Sequence, residues 1–223
     1  MTDQQAEVDW RDGGVPVSLQ FDDPYFSLEG GVAETRHVFL GGNDLPARFR
    51  DGFHVAELGF GTGLNFLVTL QAWRDAGIAG KLRFTSFEAF PMAQADLARA
   101  LAHYPDLPAG ILLNVPVSAG ASGDDFDLTI VAGDARETLP AWDGRADAWF
   151  LDGFSPAKNP ELWGADLMAQ VAAHTADGGT AATYTAAGFV RRGLADAGFT
   201  VHRRKGFGRK RHMTVSHKTA EQK

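Results

Sequence analysis

The sequence contains no cysteine, which excludes disulfides, thiolate metal ligands and cysteine nucleophiles, and fits a protein of the reducing interior of a cell. It has no apolar run near the roughly 20 residues that a membrane span requires. Its first twelve residues, Met1 to Asp12, are polar and acidic and lack the basic start and apolar stretch of a signal peptide. The seven histidines fall into no metal-ligand spacing, so no metal is expected. G-x-x-x-x-G-K-[ST] is missing, and with it support for a nucleoside triphosphate cradle. A soluble, cytoplasmic protein is the expectation that these absences leave.

What is present is an ordinary globular composition, 44% apolar and 22% charged in 223 residues, enough for one α/β domain with a buried core. The formal net charge is −7, which by itself opposes a nucleic-acid partner. Between Arg191 and Arg211, however, stand eight of the 21 basic residues against one acid, Asp196. That segment is either a positive patch for phosphates or a solvated charged face; charge alone leaves both open.

Turn formers and apolar runs predict short strands from Leu19 to Leu40, then alternation: strand Phe53 to Leu58, helix Leu64 to Ala76, strand Leu82 to Phe87, helix Pro91 to His103. After a proline-rich stretch and the flexible Ala119-Gly120-Ala121-Ser122-Gly123 come strands Phe126 to Ala132 and Ala146 to Leu151. Helix Pro160 to His174 is expected to stop at Gly178-Gly179, with strand Thr180 to Thr185 and helix Ala187 to Ala197 following. Strands Phe199 to Arg204 and Arg211 to His217 close the chain. The pattern implies a doubly wound, mostly parallel sheet with an antiparallel C-terminal edge. We divide it into an N-terminal extension of short strands (1–50) packing on the core, a main domain (51–217) and a tail (218–223).

The loop after the first core strand reads Glu57-Leu58-Gly59-Phe60-Gly61-Thr62-Gly63-Leu64-Asn65. This is E-x-G-x-G-x-G rather than the dinucleotide fingerprint G-x-G-x-x-G, because Leu64 stands where the third glycine would pack. It suits a ligand that carries an amino acid, with Glu57 placed for a methionine ammonium and Gly59, Gly61, Gly63 and Asn65 lining the approach. Glu88, at the next strand end, is placed for ribose hydroxyls, and Asp134, at the third, for an adenine amino group. These are the marks of an S-adenosyl-L-methionine site; the alternative is a tight strand-to-helix turn with no ligand. Asp152, in Asp152-Gly153-Phe154-Ser155-Pro156, follows the fourth strand. A fixed carboxylate there stabilises the charge that develops when an amine attacks a sulfonium methyl, and Phe154 offers a flat face to a base. Asp152 is the catalytic candidate, though it has the residue type to be a helix cap instead. The nearby serine lacks the last glycine of a hydrolase elbow.

Several segments together resemble the methyltransferase part of the tRNA 5-methylaminomethyl-2-thiouridine biosynthesis enzymes, called MnmC when bifunctional and MnmD when single-domain. They are Phe21 to Ser27, Glu34-Thr35-Arg36 with Phe39 to Asn43, Gly59 to Phe66, Phe150 to Pro160, and Gly188 to Arg192 with Gly206 to Arg211. The resemblance runs from about Val15 to Ser216 and departs from the family in a shorter stretch between Pro105 and Phe126, at Ser155 and at His212.

The resemblance implies a Rossmann-like S-adenosylmethionine-dependent methyltransferase fold. It also implies methylation of the aminomethyl nitrogen of 5-aminomethyl-(2-thio)uridine at the tRNA wobble position. Asp152 would lie beside the amine, and Tyr25 and Phe26 would wall the cleft with Phe154 and Lys158. Arg203, Arg204, Lys205, Arg209, Lys210 and Arg211 would form a tRNA-phosphate surface. The flavin-dependent oxidase domain of bifunctional members falls outside this sequence, so either the chain stands alone or it is part of a longer one. Competing readings are a spermidine-synthase-like aminopropyl transferase, another small-amine N-methyltransferase, and a nucleic-acid-binding module whose cofactor pocket is no longer used. Glu57 speaks against the aminopropyl transferase.

Overall fold

The computed structural model describes residues 5–11, 13–26, 30–114, 116 and 120–219. Residues 1–4 and Asp12, Ser27, Ala119 and residues 220–223 of the tail therefore lie outside the described residues. The N-terminal region forms a three-stranded antiparallel sheet of β1 (Val8–Arg11), β2 (Val15–Ser18) and β3 (Asp23–Pro24). Gly13 and Gly14, at φ +80° and +78°, supply the consecutive left-handed residues that a tight hairpin needs. Trp10 anchors this sheet to the body: its indole Nε1 donates to Asp96 Oδ1 at 3.2 Å, and the Arg99 guanidinium lies 4.0 Å over its ring.

The expected strands between Leu19 and Leu40 are for the most part not there. Among the described residues only β3 falls in that span; residues 31–43 instead wind helically as α1 (Gly31–Glu34), a π-helical turn (Thr35–Leu40) and a 3₁₀ turn (Gly41–Asn43). The aromatics of this span and its turn formers at Asp23-Pro24 and Gly30-Gly31 read as short strands, but the apolar run Val38-Phe39-Leu40 is too short to have a decisive period. All three side chains are buried, with Phe39 stacked on Phe150 at 5.2 Å.

From β4 (His54–Leu58) the chain alternates as α2 (Leu64–Asp75), β5 (Leu82–Glu88), α3 (Gln94–Leu101), the short α4 (Gly110–Leu113), β6 (Ala121–Ser122), β7 (Phe126–Ala132) and α5 (Ala135–Thr138). It continues with β8 (Ala146–Leu151), a 3₁₀ turn (Pro160–Trp163), α6 (Ala165–Ala173), β9 (Thr175–Thr183), α7 (Gly188–Asp196), β10 (Phe199–Lys205) and β11 (His212–Lys218). The helix expected over Pro160 to His174 is broken at Gly164, whose ψ of 152° is extended. Gly178-Gly179 does not end a helix; β9 passes through it, and its pairing with β8 slips there from Ala146↔Thr175 to Ala148↔Thr180. Glycine inside a strand marks such a bulge, and Gly178 has φ +70°.

The eight strands lie in the order β10-β11-β9-β8-β4-β5-β7-β6. β7, β5, β4, β8 and β9 run parallel, while β11, β10 and β6 pair antiparallel at the edges. Helices α2 and α3 cover one face over Phe66, Leu67, Phe84 and Phe150; α5, α6 and α7 cover the other over Trp149, Leu151, Met168 and Leu194. Each fully buried Phe or Leu contributes about 1.5–3 kcal/mol, so two such faces hold the sheet rigid. From β4 the chain steps outward to β5 and β7, then crosses back to β8. The crevice beyond the carboxyl ends of β4 and β8 is the switch point where open α/β sheets take their ligands.

Candidate active site

The glycine loop fills this crevice. Gly59 N–H donates to Phe87 O at 2.9 Å and Asp152 N–H to Leu58 O at 3.1 Å, fixing the ends of β4, β5 and β8 against one another. Gly59 has φ +91°, and a Cβ there would come within 2.7 Å of the Asp152 carbonyl. Only glycine lets these two loops approach so closely. At Gly61 (φ +53°) an added Cβ would lie 3.2 Å from the Tyr25 ring, so Tyr25 sits on the loop. Gly63 (φ +71°) precedes α2, which opens without a side-chain cap and leaves first-turn N–H groups for a ligand's carboxylate.

Three acids surround the loop. Glu57 has no accessible surface; its oxygens accept from Asn65 Nδ2 (2.9 Å) and Ser86 Oγ (2.7 Å), and burial drives its pKa well up, against those hydrogen bonds and with the charges of Asp152 and Glu88 adding to the rise. The sequence reading had Glu57 facing a methionine ammonium. The structure buries it beneath the loop, bonded to Asn65. Glu88 accepts from Gly61 N–H (2.9 Å) and Phe90 N–H (2.8 Å), and burial raises its pKa although these bonds oppose it. Each of its oxygens keeps a lone pair for a ribose hydroxyl. Asp152 Oδ2 accepts from Asn65 Nδ2 at 2.6 Å, and its pKa is raised to about 7, chiefly by burial.

Asn65 is the hub of this arrangement. Its amide donates to both Glu57 and Asp152, and its Oδ1 accepts from Thr35 Oγ1 at 2.7 Å, so one side chain, 7% exposed, ties the floor of the cofactor loop to the catalytic candidate. Among the described residues, none of the three acids is in an ion pair. A crevice with three acidic groups and only neutral donors favours a cationic ligand, and a sulfonium carrying an amino acid is one. The glycine cradle, Glu88 and the uncapped α2 together fit S-adenosylmethionine.

Asp134 is placed differently from the sequence reading. It caps α5, with Oδ1 accepting from Arg136 N–H at 2.9 Å and a 2.6 Å ion pair to the Arg136 guanidinium, which holds its pKa below the usual range. Both oxygens are committed to Arg136, so these contacts do not show the expected acceptor for an adenine amino group.

Aromatic residues wall the opening. Phe154 stacks on Phe21 (4.8 Å) and meets Tyr25 edge-on (5.1 Å). Burial and the Glu88 charge raise the Tyr25 pKa. Phe26, expected as a second wall, is instead buried in the core against Tyr104 at 5.3 Å. Lys158 is turned onto the N-terminal region, bonded to the Asp22 carbonyl and 3.2 Å from the Asp22 carboxylate, while Asp23 Oδ2 accepts from Ser155 N–H at 2.8 Å. These contacts pin residues 21–25 over the crevice and leave the Lys158 charge compensated.

The basic residues divide. Arg203, Arg204 and Lys205 lie exposed on β10 and Arg209 and Arg211 exposed in the following loop, with Arg204 3.6 Å from Asp44. Lys210 reaches inward to Glu34 Oε1 at 2.7 Å and lies 4.1 Å over the Tyr184 ring. Ser86 and Tyr184 were not singled out from the sequence, and Glu34 and Thr35 entered only within a segment of the family resemblance, with no site role assigned. Tyr184 stands one residue past β9, where the strand-end rule that found Glu88 and Asp152 would also have led.

Known proteins agree with this geometry. Residues 98–219 match a family described as S-adenosyl-L-methionine-dependent methyltransferase. The chain is 45% identical over 229 positions to the tRNA 5-methylaminomethyl-2-thiouridine biosynthesis bifunctional protein MnmC of Stutzerimonas stutzeri, an alignment covering 96% of this chain and 35% of that protein. To MnmC of Caulobacter vibrioides it is 50% identical over 214 positions, covering 91% and 36%. The crystal structure of MNMC2 from Aquifex aeolicus superposes with a TM-score of 0.73 at 26% identity, covering 96% of this chain and 70% of that one. The chain thus spans about a third of the length of these curated relatives. No helix among the described residues is long and apolar enough to cross a membrane. The switch-point crevice, its glycine cradle and its acids are those of an S-adenosylmethionine-dependent enzyme with a Rossmann-like fold, and the chain belongs to the methyltransferase family represented in MnmC.

Proposed function

We propose that this chain methylates the primary amine of 5-aminomethyl-(2-thio)uridine at the wobble position of tRNA, giving 5-methylaminomethyl-(2-thio)uridine. The observation that carries this reading is Asp152. It is a partly accessible carboxylate at the switch point, with one oxygen held by Asn65 and the other free, beside the aromatic surface of Phe154.

Bound S-adenosylmethionine supplies an electrophilic methyl group on a sulfonium sulfur. The chain's own residues prepare the amine. An aminomethyl group enters as an ammonium and must lose a proton to expose its lone pair, and a carboxylate raised to about 7 is a competent acceptor near neutrality. Asn65 fixes Asp152, so the free oxygen can point the amine at the methyl carbon. Once that proton has passed on to solvent, the Asp152 carboxylate would be free to stabilise the positive charge that develops on nitrogen as it takes the methyl group. Phe154 and Tyr25 exclude water and offer faces to a flat base. The exposed cations of β10 and its loop supply a phosphate surface for the anticodon stem-loop. The relatives are bifunctional, and we infer that a flavin-dependent oxidase, joined or separate, supplies the aminomethyl substrate.

The test is to incubate the protein with labelled S-adenosylmethionine and tRNA from a strain lacking this methylation, then digest and identify the labelled nucleoside. Label in 5-methylaminomethyl-uridine that disappears with Asp152→Ala supports the reading. Label in any other nucleoside, or none while cofactor binding persists, overturns it.

A further inference from the structure

The Lys210 side chain places a primary alkylammonium at the site's edge. Its Nζ is 2.7 Å from Glu34 Oε1 and 4.1 Å from the centroid of the Tyr184 ring. The ring is a fixed wall: its hydroxyl donates to Gly153 O at 2.8 Å, and Trp163 meets it edge to face at 6.2 Å. Trp163 is in turn held by donating from Nε1 to Phe154 O at 2.8 Å. Gly153 directly follows Asp152, and both Glu34 and Lys210 are close enough to act on Asp152 electrostatically, in opposite senses. A carboxylate and an aromatic face against one ammonium, with a second carboxylate near enough for its charge to be felt, are the elements of a primary-amine receptor. Lys210, Arg209 and Arg211 are all exposed, but Lys210 is the one whose ammonium lies against both a carboxylate and an aromatic ring, and a half-exposed ion pair contributes too little to stability to account for that placement.

We propose that Glu34 and Tyr184, together with Asp152, form the cage that recognises the substrate's primary amine, and that the Lys210 ammonium occupies this cage until the substrate replaces it. The backbone around Lys210 is tied down by Lys210 N–H to Phe207 O (3.0 Å) and Gly206 N–H to Arg211 O (3.3 Å), so exchange needs only the side chain to swing. Lys210 lies between two exposed arginines. RNA phosphates arriving at Arg209 and Arg211 would give its ammonium a new partner as the aminomethyl group enters. The cage thus favours a cationic aminomethyl group over a neutral hydroxymethyl or an anionic carboxymethyl one. Lys210 would also keep small amines out when no RNA is present. The inference rests on the proposed function for the identity of the amine, and its test does not depend on turnover.

Binding of the free nucleoside 5-aminomethyluridine, which has no phosphate to draw Lys210 away, is measured by NMR titration on cofactor-loaded wild type and variants. Lys210→Met should tighten it at least fivefold, and Glu34→Gln in that background should abolish the gain. Binding of 5-hydroxymethyluridine should be unchanged by either. A gain in affinity is not a result that lost packing can give. If Lys210→Met leaves aminomethyl-nucleoside affinity unchanged or weaker, or if the hydroxymethyl nucleoside gains equally, the cage is wrong. If the gain appears but wild type fails to methylate tRNA, the cage stands and the proposed substrate falls.

Discussion

The two ends of the parallel sheet use the same residue types in opposite ways. At the amino ends, acids are clamped by arginine: Asp147, at the start of β8, accepts from Arg50 (2.8 Å) and from His54 N–H (2.9 Å), and Asp125, before β7, is gripped by Arg74 at 2.6 and 3.0 Å. Both have lowered pKa values; the Arg74 hydrogen bond is the main cause at Asp125, and at Asp147 the Arg50 and His54 bonds outweigh burial. At the carboxyl ends, Glu57, Glu88 and Asp152 are bonded to neutral donors, and burial raises all three. Asp147 and Asp152 flank one strand yet belong to different regimes. An acid with its own cation is finished; an acid without one is waiting for a ligand.

The sharpest way to break this comparison is to neutralise each kind of acid. Asp152→Asn should lower kcat by about 10²–10⁴-fold, the usual worth of a positioned acid–base group, with S-adenosylmethionine affinity little changed by calorimetry. An equal loss in cofactor affinity would move Asp152 from the chemistry to cofactor binding.

Glycines test the same contrast through the backbone. Gly59→Ala should cost at least tenfold in activity and also stability, because its Cβ meets the Asp152 carbonyl at 2.7 Å. Gly52, near the amino end of β4, has φ +71° but nothing within 4 Å of an added Cβ. Gly52→Ala should cost only about 1–2 kcal/mol of left-handed strain, seen in a denaturant melt, with activity intact. Similar activities for the two variants would show that the close approach at Gly59 is not required.

The pH dependence follows from the Asp152 shift. The unfolded carboxyl, at 3.8, ionises well before the folded one at about 7. The native state therefore retains a proton that the unfolded chain has lost, and stability falls as pH rises through that window. Asp152→Asn should melt higher than wild type above pH 7, and the difference should close toward pH 4. Wild-type turnover should decline below about pH 7 as the carboxylate is protonated. A difference in melting temperature independent of pH would contradict the assignment.

The smallest effect is expected at the amino end. Arg74→Met should cost at most about 1 kcal/mol at neutral pH, a few degrees in melting temperature, with kcat unchanged. Asp125 has a lowered pKa, so this contribution is present at neutrality and lost as pH falls through the carboxylate range.

Much of the carboxyl end was legible in the sequence because strand ends and glycine spacing are local. β7 and β8 have the bounds expected of them, and Gly59, Gly61, Glu88 and Asp152 gather at one crevice. What was not legible depended on contacts distant in sequence. Glu34 and Thr35 lie in a motif read as strand, and only tertiary packing of the π-helical turn brings Thr35 to Asn65 and Glu34 to Lys210. Asp134 looked like its neighbours in the series, but the following Arg136 made it a cap. Phe26 and Tyr25 are adjacent, and a sequence cannot say which of two neighbouring aromatics turns inward.

The outermost position of β10 has a further consequence. Among the described residues β10 pairs only with β11, and outermost strands of this kind invite sheet-to-sheet stacking between molecules unless charge keeps them apart. Arg203, Arg204 and Lys205 place exposed positive charge on this edge strand, so the residues proposed to meet RNA are also placed to repel a second sheet. Trimming them to alanine to test the proposed RNA contact would expose a sticky edge and confuse lost affinity with aggregation, whereas glutamate at the same positions would repel both RNA and a second sheet.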